Sequence, residues 1–146
     1  MRILGIDLGE KRIGISISDE LGITAQGLPT INSISEIEDL KNIKEVINKF
    51  RVEKIVLGLP KNMNGSLGKQ AQKAISFAEK LKTYFQLSVE LEDERLSTSK
   101  AEKFLIETNR SRKKRKKVID KMSAVIILQS FLDRSMMIKE KKNELY

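Results

Sequence analysis

Four acids stand where this chain has little obvious reason to hold charge. Asp7 lies among the isoleucines of "MRILGIDLGE", Asp93 and Glu94 close "LSVELEDE", and Asp120 follows "RSRKKRKKVI". Carboxylates brought together repel unless a cation neutralises them, and a purely oxygen ligand set suits Mg²⁺ or Mn²⁺. Two such ions about 4 Å apart are the machinery of phosphodiester cleavage. The chain has no His and no Cys. Imidazole is therefore excluded as general base and as ligand, and so are thiolate chemistry and disulfides. What remains is carboxylate, Lys, Tyr, Ser and Thr chemistry, with a hard metal ion. Each acid also has a plainer reading. Asp7 could bond the amides of a turn, Asp93 and Glu94 could be surface charges ahead of a helix, and Asp120 could cap one. Together the four are more specific than any one of them.

The elements that must position these acids follow from periodicity. Arg2 to Leu8 reads as a strand, with Ile3, Gly5 and Asp7 on one face and Leu4, Ile6 and Leu8 on the other. After the turn Gly9-Glu10-Lys11, Arg12 to Ser18 alternates Ile13, Ile15 and Ile17 against Gly14, Ser16 and Ser18, which predicts a hairpin. A third strand is expected from Thr24 to about Ile31, at an edge because Pro29 cannot donate to a ladder. The period then changes. Ser35 and Glu38 form a capping box ahead of the stripe Ile37, Leu40, Ile43, Ile47, Phe50. "KIVLGLP" is a buried strand, "KNMNGS" a loop, and Leu67, Ala71, Ala74, Ala78 and Leu81 a second helical stripe. "LSVELED" is a last strand. A helix is expected near Ser99, with Ser99 and Glu102 as a second capping box, then a basic loop, then a final helix opened by Asp120.

Strand–helix–strand crossovers imply parallel pairing. The expected fold is α/β: a mixed five-stranded sheet, three antiparallel strands then two parallel, with helices on both faces. The first strand is central, between the second strand and "KIVLGLP". Ligands gather outside the carboxyl ends of the strands in such sheets. Asp7, Asp93 and Glu94 fall there, and Asp120 shares a helical stripe with Ala124, Ile127 and Phe131. One domain over residues 1–137 and a polar, frayed tail over 138–146 are expected.

The formal charge is +8, and seven positive charges fall between Arg110 and Lys117. The remainder of the chain carries a net +1. Such a cluster binds polyanions, chiefly nucleic acid, or else is a solvated basic loop. Arg12, Arg95, Arg110, Arg112, Lys113, Lys114, Arg115, Lys116 and Lys117 are the candidate phosphate contacts. The sequence shows no membrane span and no signal-peptide pattern, so a cytoplasmic location is expected.

"GIDLGEKRIGISISD", "IVLGLPKNMNGSLGKQA", "EDERLSTSKAE" and "RKKRKKVIDKMSAVIILQSFL" occur in an order and spacing that resemble the YqgF (RuvX) family. The resemblance runs from Met1 to Arg134. It implies an RNase H-like fold shared with the RuvC Holliday-junction resolvases, and a metal-dependent nuclease that matures the 5′ end of pre-16S rRNA. Matched residue by residue, Asp7 is the first-strand acid, Glu94 or Asp93 the acid of "DER", and Asp120 the helix acid. RuvC-like enzymes take an acid from the strand beside the first, whereas here that strand ends "VLGLP". The "DER" acid then stands as a migrated replacement. The alternatives are a Holliday junction resolvase, an RNA-binding assembly factor without catalysis, and an actin-like phosphotransferase. The last needs two such domains. A junction resolvase needs a dimer for paired cuts and an RNA-trimming enzyme works as a monomer; the sequence leaves both open.

Overall fold

The structure, a computed structural model, describes residues 1–95 and 112–145, without the side chains of residues 112–121 and 144–145. The expected helix near Ser99 and its capping box lie outside the described residues. Three strands come first, β1 (Arg2–Leu8), β2 (Arg12–Ser18) and β3 (Ala25–Asn32). Then come α1 (Glu36–Phe50), β4 (Val52–Leu59), α2 (Lys69–Phe85), β5 (Ser88–Asp93) and a long α3 (Arg112–Leu145). The sheet order is β3-β2-β1-β4-β5, with β1 central, antiparallel to β2 and parallel to β4. This is the mixed sheet that the alternation and crossovers predict.

The two faces of the sheet are built differently. One receives α1 and α2 over Leu4, Ile6, Ile13, Ile15, Ile17, Ile55 and Leu57, the branched residues that suit a buried pleated surface. The α1 stripe starts at Leu40 rather than Ile37, which is exposed. The Ser35 hydroxyl accepts the Glu38 amide as an N-cap should. On α2, Leu67 stays half-exposed ahead of the Gly68 cap, and Phe77 joins the buried alanines.

The other face carries Gly5, Gly14, Ser16, Ser18 and Gly58, and α3 lies against it through Ala124, Ile127, Leu128, Phe131 and Leu132. The small residues let the helix backbone come close. A Cβ at Gly5 would overlap the Ser16 hydroxyl, lie 2.8 Å from Leu128 Cβ and 3.1 Å from the Ala124 carbonyl oxygen. Ser16 uses that proximity, donating to the Ala124 carbonyl at 2.7 Å in a buried bond. The Gly/Ser alternation of β2, weak as a hydrophobic signal, is the docking surface for α3.

Two expectations change along α3. It begins at Arg112, so the basic run from Arg112 to Lys117 is helical backbone and not a loop. Arg and Lys are strong helix formers, and no Gly or Pro interrupts residues 112–145. Asp120 accordingly lies about two turns inside the helix and does not open it. The helix also continues to Leu145, through the residues expected to fray.

Because the contacts at Gly5 come from backbone and from a core leucine, Gly5→Ala should lower stability by about 1–3 kcal/mol. Chemical denaturation checks this. A cost below about 0.5 kcal/mol would show that α3 is free to move off the sheet.

Candidate active site

Asp7 sits on the α3 face near the carboxyl end of β1, half-buried. β1 and β4 run parallel with Ile6 beside Leu57, so the next position across from Asp7 is Gly58. Gly58 has no side chain to offer, and that space is filled from another strand. Glu94, immediately after β5, turns its carboxyl group over Gly58. A Cβ there would overlap the Glu94 carboxyl and lie 2.6 Å from Ile127 Cδ1. From this position Glu94 faces Asp7 closely enough for the two carboxyl groups to interact. Two carboxyl groups this close favour a proton or a cation between them. Burial first, then the interaction with Asp7 and the charges of Asp7 and Asp93, push the Glu94 carboxyl from 4.5 up to about 8.

Asp93 points elsewhere. Arg95 donates to it from Nε at 3.1 and 3.2 Å, from Nη2 at 2.8 Å and from its backbone amide at 3.0 Å. The Arg95 guanidinium holds the Asp93 carboxyl below the usual carboxylate range, against the opposing pull of burial. The two adjacent acids are thus driven apart in character. Glu94 is a protonated neighbour of Asp7, and Asp93 an ionised partner of Arg95.

Arg95 also donates from Nη1 to the Met63 carbonyl at 3.2 Å, which ties the loop after β4 to the same corner. That loop is internally locked. Asn62 Nδ2 donates to Ser66 Oγ at 2.9 Å, and Ser66 donates from its amide and hydroxyl to Asn64 Oδ1 at 3.0 and 2.6 Å. Gly65 turns the chain with φ of 87°. The "MNGS" block therefore has a structural meaning beyond a turn. A second support, Glu92, is buried at the end of β5 and held by both terminal nitrogens of Arg134 from α3, at 2.6 and 2.5 Å. Glu92 follows the strand's alternation as a mere polar residue, and only the tertiary structure reveals its partner.

The described residues bring Asp7 and Glu94 together, with Asp93 beside them. Among those residues no group of three acids surrounds a metal-sized point. Asp120 lies on α3 one turn before Ala124, whose Cβ passes the same 3.4 Å from a Gly14 Cβ as does Asp7 Cβ. Its carboxyl group is outside the described residues, as is Arg110. Lys11 and Arg12 are exposed and line a groove that has Asp7 at one end. Sequence reasoning missed Gly58, the residue that lets Glu94 reach Asp7. Its signal was the missing acid in "VLGLP".

The raised Glu94 carboxyl makes a pH prediction. A carboxyl raised from 4.5 to about 8 on folding favours the folded state most below pH 4.5, and that advantage is lost as pH climbs to about 8. With no His in the chain, no imidazole obscures this window. In chelator, the unfolding free energy of the wild type should fall between about pH 4.5 and 8, and Glu94→Gln should flatten the fall. Urea titrations across that range check it; parallel profiles would mean that Glu94 is not the group responsible.

Comparison with known proteins agrees with this architecture. The RuvX family, described as "Holliday junction resolvase", matches residues 1–134. The chain is 56% identical over 134 residues to a protein of Caldanaerobacter subterraneus named "Putative pre-16S rRNA nuclease", covering 91% of this chain and 96% of that one. A Clostridium botulinum protein of the same name is 50% identical over 133 residues, covering 91% and 97%. Among solved structures, Thermus thermophilus RuvC bound to a Holliday junction superposes with a TM-score of 0.58 at 14% identity, covering 93% of this chain and 96% of that one. The last likeness speaks for the fold: a RuvC-like sheet with β1 at its centre. Motifs, sheet order and the match over residues 1–134 coincide, and the chain belongs to the RuvX family.

Proposed function

We propose that this protein is a divalent-metal-dependent nuclease of the cytoplasm that hydrolyses phosphodiester bonds in structured RNA and trims the 5′ end of pre-16S rRNA. The observation that carries the reading is the Glu94 carboxyl lying over Gly58, beside Asp7, at the carboxyl ends of the strands. The names of the two curated relatives supply the substrate.

The donor set fits a hard cation. Both groups offer only oxygen, and a bound Mg²⁺ or Mn²⁺ would offset the burial and the neighbouring negative charge that raise Glu94. Asp7 and Glu94 would hold the ion, with Asp120 as the third ligand from α3. When bound, such an ion neutralises charge on the phosphate and lowers the pKa of water. The chain's own residues do the rest. Arg95 keeps Asp93 ionised and anchored, leaving Glu94 to face Asp7. Arg12 and the basic first turns of α3, Arg112 to Lys117, neutralise the phosphate backbone. Ser16, bonded to the Ala124 carbonyl, fixes the position of α3 one turn after Asp120.

The family description favours a second reading, resolution of Holliday junctions. Comparing cleavage of a pre-16S 5′ leader with that of a four-way junction, each in Mg²⁺ and in chelator, separates the two. Preference for the leader supports the proposal. Preference for the junction replaces its substrate, and binding without cleavage of either would leave an RNA-binding assembly factor.

Two substitutions test the ligands. Asp7→Asn should fold, bind nucleic acid, and cut several orders of magnitude more slowly; cleavage at the wild-type rate would end the carboxylate mechanism. Asp120 lies inside α3 and so has no cap to provide. Asp120→Asn should leave the unfolding free energy in chelator within about 0.5 kcal/mol of wild type while abolishing Mg²⁺-dependent cleavage. An Asp120→Asn protein that cuts normally would confine the site to Asp7 and the β5 acids.

A further inference from the structure

The groove beside Asp7 is built by omissions. In β2 the position next to Asp7 is Gly14, and its partner strand β3 carries one extra residue there, because Ile13 pairs with Ile31 and Ile15 with Leu28, which sets Pro29 and Thr30 against Gly14 alone. The bulge at Pro29 and Thr30, together with the missing side chains of Gly14 and Gly27, opens a hollow of about 1040 Å³ between the sheet and α3. Pro29 lines it from β3 and Met122 and Val125 from α3, while the Leu28 side chain packs on the opposite face of the sheet. Asp7 stands at one end, and Lys11 and Arg12 are exposed at the mouth. Bulges beside functional sites commonly re-aim a strand in this way.

We propose that this groove takes one or two unpaired nucleotides of the substrate strand next to the phosphate that is cut. The inference rests on the nuclease reading above and adds to it the kind of strand admitted. The volume sits at the upper end of about 300–1,000 Å³, the range typical of ligand-sized pockets. That holds a base and its sugar but not a duplex. The chemistry agrees. A duplex presents phosphates and base edges, and pressing these against Pro29, Met122 and Val125 would strip water from polar groups without replacement. An unpaired base has two apolar faces to bury, and its flanking phosphates would meet Lys11 and Arg12. The chain has few aromatics, so the stacking surface has to come from such aliphatic walls.

The test measures binding without cleavage, in chelator, by fluorescence anisotropy. The probes are a twelve-nucleotide single-stranded RNA carrying 2-aminopurine and a blunt duplex of the same sequence. Gly27→Leu fills the hollow from β3, where a Cβ lies 3.4 Å from Val125 Cγ2 in ordinary contact. Met122→Ala removes the opposite wall at an exposed position and carries little folding risk. The wild type should bind the single strand more tightly than the duplex, with a change in 2-aminopurine emission. Gly27→Leu should weaken single-strand binding roughly tenfold and leave duplex binding within about twofold, and Met122→Ala should act in the same direction. Equal affinity of the wild type for both probes would overturn the inference. So would equal loss of both probes, or no loss of either, in both variants. Because nothing is cut in this assay, its failure is separate from failure of the nuclease reading, which the Asp7→Asn cleavage rate decides.

Discussion

Two carboxyl groups side by side at the end of a central strand are an unfavourable arrangement, and the surrounding structure is organised to hold them there. Asp7 is fixed by β1, the central strand of the sheet. Glu94 reaches it only because Gly58 leaves a gap on β4 and because Arg95 draws Asp93 the other way. Burial, with Asp7 and Asp93 beside it, then raises Glu94 to about 8. A protein that needed only a stable fold would place an apolar residue at position 58 and turn Glu94 to solvent. A pair held in this way is what the proposed cation site would require.

The same logic explains the contrast between the faces of the sheet. On the side of α1 and α2, branched aliphatic residues pack a conventional core. On the side of α3, glycine and serine bring a helix backbone within reach of β1 and β2, and the core is smaller, centred on Val56, Ile127, Leu128, Phe131 and Leu132. Close approach there costs apolar burial but sets the helix relative to Asp7 through the Ser16 bond and the Glu92–Arg134 ion pair. The hollow at Gly14 and Gly27 comes from the same choice of small residues.

Much of this was legible from the residues in order. The alternation of β1 and β2, the edge position of the strand containing Pro29, and the crossovers through α1 and α2 led to the observed sheet. The acids at strand ends pointed to the corner where Asp7 and Glu94 meet. The start of α3 was not legible, because a run of seven cations reads as a solvated loop although each residue is a good helix former. Ile37 and Leu67 fit their stripes yet lie exposed, since the helices meet the sheet one turn later. The separate fates of Asp93 and Glu94 depend on the direction of one arginine. The role of Gly58 depends on a strand pairing that spacing alone does not give.

The central claim is that Asp7 and Glu94 form a single ion site from which Asp93 is excluded. Anomalous diffraction from crystals soaked in Mn²⁺ measures this directly. The account predicts a peak bonded to carboxylate oxygens of both Asp7 and Glu94 at about 2.0–2.2 Å, close to the short bond lengths of hard divalent ions, with the Asp93–Arg95 pair intact. A peak on Asp93 with Arg95 displaced, or no peak within reach of Asp7, would contradict it.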